Sequence, residues 1–271
     1  MSILDRLGQT YNCQSISVDG HIWSFIQTKS DGIPLILLPG AQGTCEVYAN
    51  QILGLGSDIR IIAATYPEVD DCPSLAAGFK SFLDAMDVTK AVISGTSFGG
   101  LWLQFFAARF PEYVAGLILA NTFIDSKSKH PMFDHILAMG DADLIEAVRA
   151  GFIAATGKSP RHAELAEIMD ALVGAVQTGA GLKSRLRGVR LSAAAPKVAL
   201  EPDQITLIEC DNDPLVDQAM RDEIAERYRG SARHVLEGGE HYPAILNPEE
   251  YSTILRGAYI AATKGTAQGR S

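Results

Sequence analysis

Three polar residues, far apart along the chain, have the types and settings that nucleophilic catalysis needs. Ser97 is the middle of Gly95-Thr96-Ser97-Phe98-Gly99. Before it lies the apolar run Lys90-Ala91-Val92-Ile93-Ser94; after it Gly100, Leu101, Trp102, Leu103, Phe105, Phe106 and Ala107 recur at helical spacing. Strand, Gly-x-Ser-x-Gly, helix is the setting of a nucleophile elbow, where small neighbours let the chain turn sharply and leave the hydroxyl exposed. A serine hydroxyl is a poor nucleophile at neutral pH. It needs a base to take its proton and a third group to orient that base.

Both partners are available downstream, in the order serine, acid, histidine. Asp211-Asn212-Asp213-Pro214 follows the apolar run Ile205–Cys210, and Gly238-Gly239-Glu240-His241-Tyr242-Pro243 follows a short strand at His234–Leu236. Among six histidines, His21 and His234 sit inside strand patterns, and His130, His135 and His162 lie in a helical stretch. His241 alone combines a strand-end loop, preceding glycines and a following helix, and is the predicted base. Asp213 is the preferred acid because it stands in a turn that leads into a helix; Asp211 and Asp125 remain open alternatives. An oxyanion needs two preorganised donors. The expected pair is the N–H of Phe98 and the N–H of Ala41, in Leu38-Pro39-Gly40-Ala41-Gln42-Gly43. Glu209, Asp211, Asp213 and His241 could be taken for a metal cluster, but no His-Glu-x-x-His or paired-cysteine set accompanies them. No metal and no cofactor is expected.

The elements that must hold these residues alternate regularly. A hairpin is predicted over Gln14–Val18 and His21–Thr28, turning at Asp19-Gly20. Buried strands are predicted at Pro34–Leu38, Ile59–Ala64, Lys90–Ser94, Ala115–Ala120 and Ile205–Cys210. Helices are predicted at Thr44–Leu55, Ser74–Met86, from the elbow to about Phe110, from Leu215 to Tyr228, and at Pro248–Ala262. Strand–helix alternation means an α/β fold with a parallel sheet covered on both faces. From 125 to 195 the pattern is helical without a buried strand. The expected division is a core of 1–124 and 196–271 with a helical lid of 125–195. Ligands bind beyond the carboxyl ends of the strands of an open α/β sheet, so an insertion there would cover the pocket. Phe133, Ile136, Leu137, Met139, Phe152 and Ile153 are the candidate pocket-facing residues. Lys183, Arg185, Arg187 and Arg190 form a basic stretch, expected as a solvated face, with attraction of a substrate carboxylate as the alternative. The small polar tail Thr263–Ser271 is expected to be disordered.

With 271 residues, 47% hydrophobic and 20% charged, the chain has enough apolar sequence for one sizeable α/β core. A net charge of −9 argues against nucleic acid or an anionic membrane surface as partner. No apolar run approaches the ~18 residues of a membrane span, and the first residues lack the pattern of a signal peptide. Cys13, Cys45, Cys72 and Cys210 are scattered without a Cys-x-x-Cys pair, which suits free thiols in a reducing, cytoplasmic setting. A homodimer is left open as an assembly.

Taken together, the elbow, the Pro39-Gly40 loop, Asn212-Asp213-Pro214-Leu215-Val216 and Gly238–Pro243 resemble the α/β-hydrolase superfamily. The resemblance implies a mostly parallel eight-stranded sheet, with Ser97 as nucleophile, His241 as base and Asp213 as acid. A closer resemblance is to the maspardin-like group, carried by Leu38-Pro39-Gly40-Ala41-Gln42-Gly43-Thr44, Gln51-Ile52-Leu53, Ala64-Thr65-Tyr66-Pro67 and Ala120-Asn121-Thr122-Phe123. Many superfamily members carry His-Gly where this chain has Pro39-Gly40. Some maspardin-like proteins lack the histidine and are regarded as binding proteins; His241 shifts this chain toward catalysis.

A serine at position 97, where an aspartate would be needed, points away from the haloalkane dehalogenase and epoxide hydrolase branches. The expected chemistry is acyl transfer on a small-molecule substrate: hydrolysis of a small or medium carboxylic ester or related acyl compound. Two alternatives stand beside it. One is a biosynthetic cyclase or lyase that reuses the triad without hydrolysis; the other is a non-catalytic binding protein of the same fold.

Overall fold

Apolar runs bounded by turn residues form the strands, and apolar residues at 3.6-residue spacing form the helices. A computed structural model describes residues 1–29, 31–126 and 131–268. The chain opens with α1 (Ile3–Thr10), the hairpin β1 (Cys13–Val18) and β2 (His21–Gln27), and β3 (Leu35–Leu38). A 3-10 turn at Cys45–Tyr48 precedes α2 (Ala49–Leu55), β4 (Ile61–Thr65) and α3 (Cys72–Ala85). Next come β5 (Ala91–Thr96), α4 (Phe98–Arg109) and β6 (Val114–Ala120). Helices α5 (Pro131–Ala138), α6 (Asp141–Ala154), α7 (Pro160–Leu172) and α8 (Gly179–Leu191) follow. The chain closes with β7 (Ile205–Cys210), α9 (Gln218–Arg227), β8 (Ala232–Leu236), α10 (Pro243–Leu246) and α11 (Pro248–Gln268).

All eight strands form one sheet in the order β1-β2-β4-β3-β5-β6-β7-β8. β2 pairs antiparallel with both its neighbours and the remaining pairs are parallel, so β2 alone runs against the others. Every residue of β3, β6 and β7 is buried. Strands covered on both faces must be apolar at successive positions, which is why these segments read as unbroken runs. Alternate residues feed opposite cores. Ile36 and Leu38 join Phe79, Leu101, Trp102 and Ile224 on one side. Leu35 and Leu37 join Leu7, Ile52, Tyr251 and Leu255 on the other. A smaller cluster joins Leu165, Ile168, Met169 and Leu172 of α7 to Ile245 and Leu246 of α10. Among the described residues, no helix is long and apolar enough to cross a membrane.

Several bounds differ from the sequence expectation for local reasons. Helix α1 was not anticipated; Ser2 and Asp5 form a capping box at its start, accepting and returning a hydrogen bond at 3.0 Å each way. The first turn expected of the 44–55 helix is 3-10 in form. Helix α9 starts at Gln218, later than Leu215, because Asp213 takes the N–H groups of Leu215 and Val216, and Asp217 caps the helix at Met220. Helix α11 continues to Gln268; 269–271, like His130, lie outside the described residues.

The elbow packs with almost no room between β5 and α4. A Cβ added at Gly95 would come to 2.7 Å from the Gly99 carbonyl and 2.8 Å from the Gly100 nitrogen. One added at Gly100 would meet the Thr122 side chain at 2.7 Å. These contacts are backbone or short side chain, so relief requires moving the elbow itself. Gly95→Ala is expected to cost about 1–3 kcal/mol of stability, seen as a lower urea midpoint. An unchanged midpoint would contradict this packing.

Candidate active site

Ser97 takes φ 52 and ψ −121 between the end of β5 and the start of α4. A non-glycine residue rarely adopts positive φ, and such a residue persists only where its surroundings hold it. Here the Ser97 N–H donates to the Ala120 carbonyl at 3.0 Å, and its carbonyl accepts from Thr122 Oγ1 at 2.6 Å. With the backbone fixed on both sides, the side chain faces a cavity of about 500 Å³. The N–H of Phe98 begins α4, where no intrahelical acceptor exists.

His241 lines the same cavity and stands on the loop after β8. Its Nδ1 lies 2.8 Å from Asp213 Oδ2. A carboxylate can only accept, so Nδ1 carries the proton and a neutral ring keeps its free lone pair on Nε2. Asp213 is fully saturated with donors. Oδ2 also accepts from Asn121 Nδ2 at 2.7 Å, and Oδ1 accepts the N–H groups of Leu215 and Val216 at 2.8 and 3.0 Å. Burial alone would push this carboxyl up; the His241 hydrogen bond and charge and the two amides outweigh it, leaving it below its ordinary 3.8.

The loop after β7 and the loop after β8 are fastened at three successive residues. Asp211 Oδ1 accepts the Gly238 N–H, Asn212 Oδ1 accepts the Glu240 N–H, and Asp213 meets His241. This separates the two carboxylates left open by the sequence: Asp213 holds the imidazole, while Asp211 holds the loop. Asp125 does not line the cavity. Glu209 pairs with Arg233 at 2.7 Å, which further disperses the apparent metal cluster.

Ala41 belongs to a loop whose carbonyls are bound from outside the cavity. Tyr66 Oη donates to the carbonyls of Pro39 and Gly40, both at 3.1 Å. Burial pushes the Tyr66 hydroxyl up to about 12, so it stays a donor. Gln177 Nε2 donates to the Ala41 carbonyl, and Arg185 to the carbonyls of Gly43 and Tyr66. The Arg185 guanidinium also lies 4.2 Å over the Tyr66 ring. Arg185 is only 4% exposed, so the basic stretch is not a uniformly solvated face. Lys183 and Arg190 pair with Asp141 and Asp134, Arg187 is exposed, and none of the four lines the cavity.

Of the candidate pocket residues, Phe133 and Ile136 line the cavity. Leu137 and Met139 do not; they pack on the main core. Phe152 meets Tyr242 edge-on at 5.3 Å and joins the α7–α10 cluster, because α6 leans on α7 and the His241 loop. Ile153 is exposed. The apolar wall includes Phe123, Leu186, Val189, Leu215 and Met220, which periodicity alone had not singled out. Asn121 was also missed as a site residue. It sits at φ 42 at the end of β6 and donates to both Asp213 and the Glu240 carbonyl. An asparagine just after a wholly apolar strand is its signal, since asparagine tolerates the left-handed region.

Residues 18–254 match the profile of the alpha/beta hydrolase family. The chain is 26% identical to maspardin of Danio rerio over 251 residues, covering 88% of this chain and 78% of that protein. It is 27% identical to maspardin of Homo sapiens over 254 residues, covering 88% and 79%. Among solved structures, an enol-lactonase from Burkholderia xenovorans superposes with a TM-score of 0.76 at 16% identity, covering 90% of this chain and 99% of that one. A thermophilic esterase from Thermogutta terrifontis gives 0.72 at 17% identity, covering 92% and 99%.

The lowered carboxyl of Asp213 sets a pH signature. Its ionised form stabilises the fold above the ordinary value of 3.8, and that contribution is lost as pH falls through the lower folded value. The stability gap between wild type and Asp213→Asn is expected to shrink as pH falls below about 5 in urea titrations. A gap independent of pH would contradict an ionised, hydrogen-bonded Asp213.

Proposed function

Because the chain belongs to the alpha/beta hydrolase family, we propose that it is a serine hydrolase that cleaves a small or medium carboxylic ester or related acyl compound. The observation that carries the reading is the Asp213–His241 bond at 2.8 Å beside a cavity that Ser97 also lines. Ser97 Oγ attacks the acyl carbonyl while His241 Nε2 takes its proton. Asp213 keeps the proton on Nδ1 and stabilises the imidazolium that forms. The N–H groups of Phe98 and Ala41 receive the oxyanion. His241 then protonates the leaving group, and water repeats the sequence on the acyl-enzyme.

Residues 125–195 serve as the lid over the core formed by 1–124 and 196–271. Phe133, Ile136, Leu186 and Val189 come from that segment to the cavity wall, which supports the assignment. The wall is largely apolar, and Lys183, Arg185 and Arg190 are engaged elsewhere, which favours an uncharged acyl group over a carboxylate-bearing one. The enol-lactonase and esterase with the same fold agree with acyl chemistry at that level.

A fluorophosphonate probe tests the nucleophile. Wild type is expected to label and Ser97→Ala to remain unlabelled, with aryl-ester hydrolysis falling by about 10⁴-fold or more. A wild type that stays unlabelled at high probe concentration would favour a binding protein; retained aryl-ester hydrolysis in Ser97→Ala would remove Ser97 as the nucleophile. Arg185→Lys tests the oxyanion loop, since lysine keeps the charge but loses the planar fork. Its kcat is expected to fall by about 10–100-fold with KM nearly unchanged. An unaltered kcat would remove Arg185 from the positioning of Ala41.

A further inference from the structure

We propose that Cys13 and Cys45 form a reversible disulfide, an oxidant-responsive site separate from the Ser97 cavity. The two cysteines are 32 positions apart in sequence, yet the sheet brings them together. Cys13 pairs across β1–β2 with Ile26, and Ser15, two residues on, pairs with Ser24, which pairs in turn with Thr65 of β4. Directly opposed residues share a face of the sheet, and so do residues two apart on one strand. Cys13 therefore lies on the Thr65 face. Cys45 is held on that face by its N–H, which donates to Thr65 Oγ1 at 2.8 Å. The two sulfurs and a Glu46 carboxylate oxygen lie within 4.8 Å of one another.

The pair is asymmetric in the way thiol oxidation requires. Cys13 is exposed, and Cys45 is fully buried. The neighbouring Cys45 thiol lowers the Cys13 thiol, so the accessible sulfur has the greater thiolate character. The neighbouring Cys13 sulfur, burial and the nearby Glu46 charge raise Cys45, which stays protonated until needed. Cys45 Sγ lies 3.3 Å from Glu46 Oε2, an acceptor for its proton.

A peroxide supplies the oxidant. The Cys13 thiolate attacks one peroxide oxygen; the S–O bond forms, the O–O bond breaks, and the other oxygen leaves as water after protonation. Cys45 then attacks the Cys13 sulfur; the S–S bond forms, the S–O bond breaks, and the oxygen departs as a second water with the thiol proton. Two thiols lose two electrons and one peroxide becomes two waters. A dithiol reductant reverses the bond. Cys45 opens the 3-10 turn that ends in Tyr48, whose hydroxyl lies 2.9 Å from Thr96 Oγ1. The bond would thus tie the outer strand β1 to the segment that follows the Ala41 loop. None of this depends on the catalytic role of Ser97.

The folded full chain is treated with a modest excess of hydrogen peroxide, unfolded, alkylated and digested with trypsin. Peptides 7–29 and 30–60 are expected to appear joined and two hydrogens lighter than their sum, and to separate on reduction. Cys72 and Cys210 are expected to remain alkylated. In Cys13→Ser, an exposed substitution, Cys45 is expected to be recovered as an alkylated thiol after the same treatment. Both thiols alkylated in oxidised wild type would overturn the proposal. So would Cys13 recovered as sulfinic acid with Cys45 alkylated, or Cys13 joined to Cys13 of a second chain.

Discussion

A serine at φ 52 and ψ −121 in the middle of the sheet is the constraint from which the rest of the site follows. Such a conformation costs on the order of 1–3 kcal/mol and must be over-determined by its surroundings. Two hydrogen bonds supply part of this, one to the Ala120 carbonyl and one from Thr122. Both depend on β6 lying in register with β5, Thr96 opposite Ala120. Close packing supplies the rest. Gly95, Gly99 and Gly100 leave no space for a Cβ, and Gly99 brings α4 against the Pro39 carbonyl. The elbow therefore fixes the distance between β5 and its helix and, through Pro39, the path of the loop that carries Ala41. Because β5 is central, its neighbours deliver the other parts: β3 on one side, and β6, β7 and β8 on the other.

A second demand comes from Asp213, a carboxylate whose side chain is wholly buried. Burying an ionised group without partners would be prohibitive. Four donors from three parts of the chain meet it: a side chain after β6, two amides from its own turn and the imidazole after β8. The turn that satisfies Asp213 also delays the start of α9, so local secondary structure yields to the charge. The Ala41 loop shows the same dependence on distant groups. Gln177 and Arg185, from the helical stretch between β6 and β7, hold its carbonyls. That stretch is coupled to the sheet by buried polar contacts as well as by apolar cover.

How much of this could be read from the sequence depended on how local each signal was. The strands and most helices were legible because burial on two faces or one leaves a direct imprint on residue order. That the ends of β5, β7 and β8 lie on one side of the sheet was legible from strand-end positions; Ser97 and His241 line the cavity there, with Asp213 behind the imidazole. The choice between Asp211 and Asp213 was not, since both sit in the same turn; it is decided by which atoms of the β8 loop each one meets. Arg185 looked like its exposed neighbour Arg187, because the carbonyls that bury it lie about 120–140 residues earlier. Leu137, Met139 and Phe152 form helical stripes, and a stripe states that a face is buried without stating against what. Cys13 and Cys45 looked unrelated for the same reason, their proximity being a product of strand register.

The most direct measurement of a serine mechanism is a rapid-quench experiment with an aryl ester, followed by mass spectrometry of the tryptic peptide 91–109 that carries Ser97. An acyl adduct on Ser97 is expected within the first turnover, formed together with a burst of the aryl alcohol and decaying at the steady-state rate. Turnover with peptide 91–109 unmodified throughout, or with the acyl group on another residue, would contradict it.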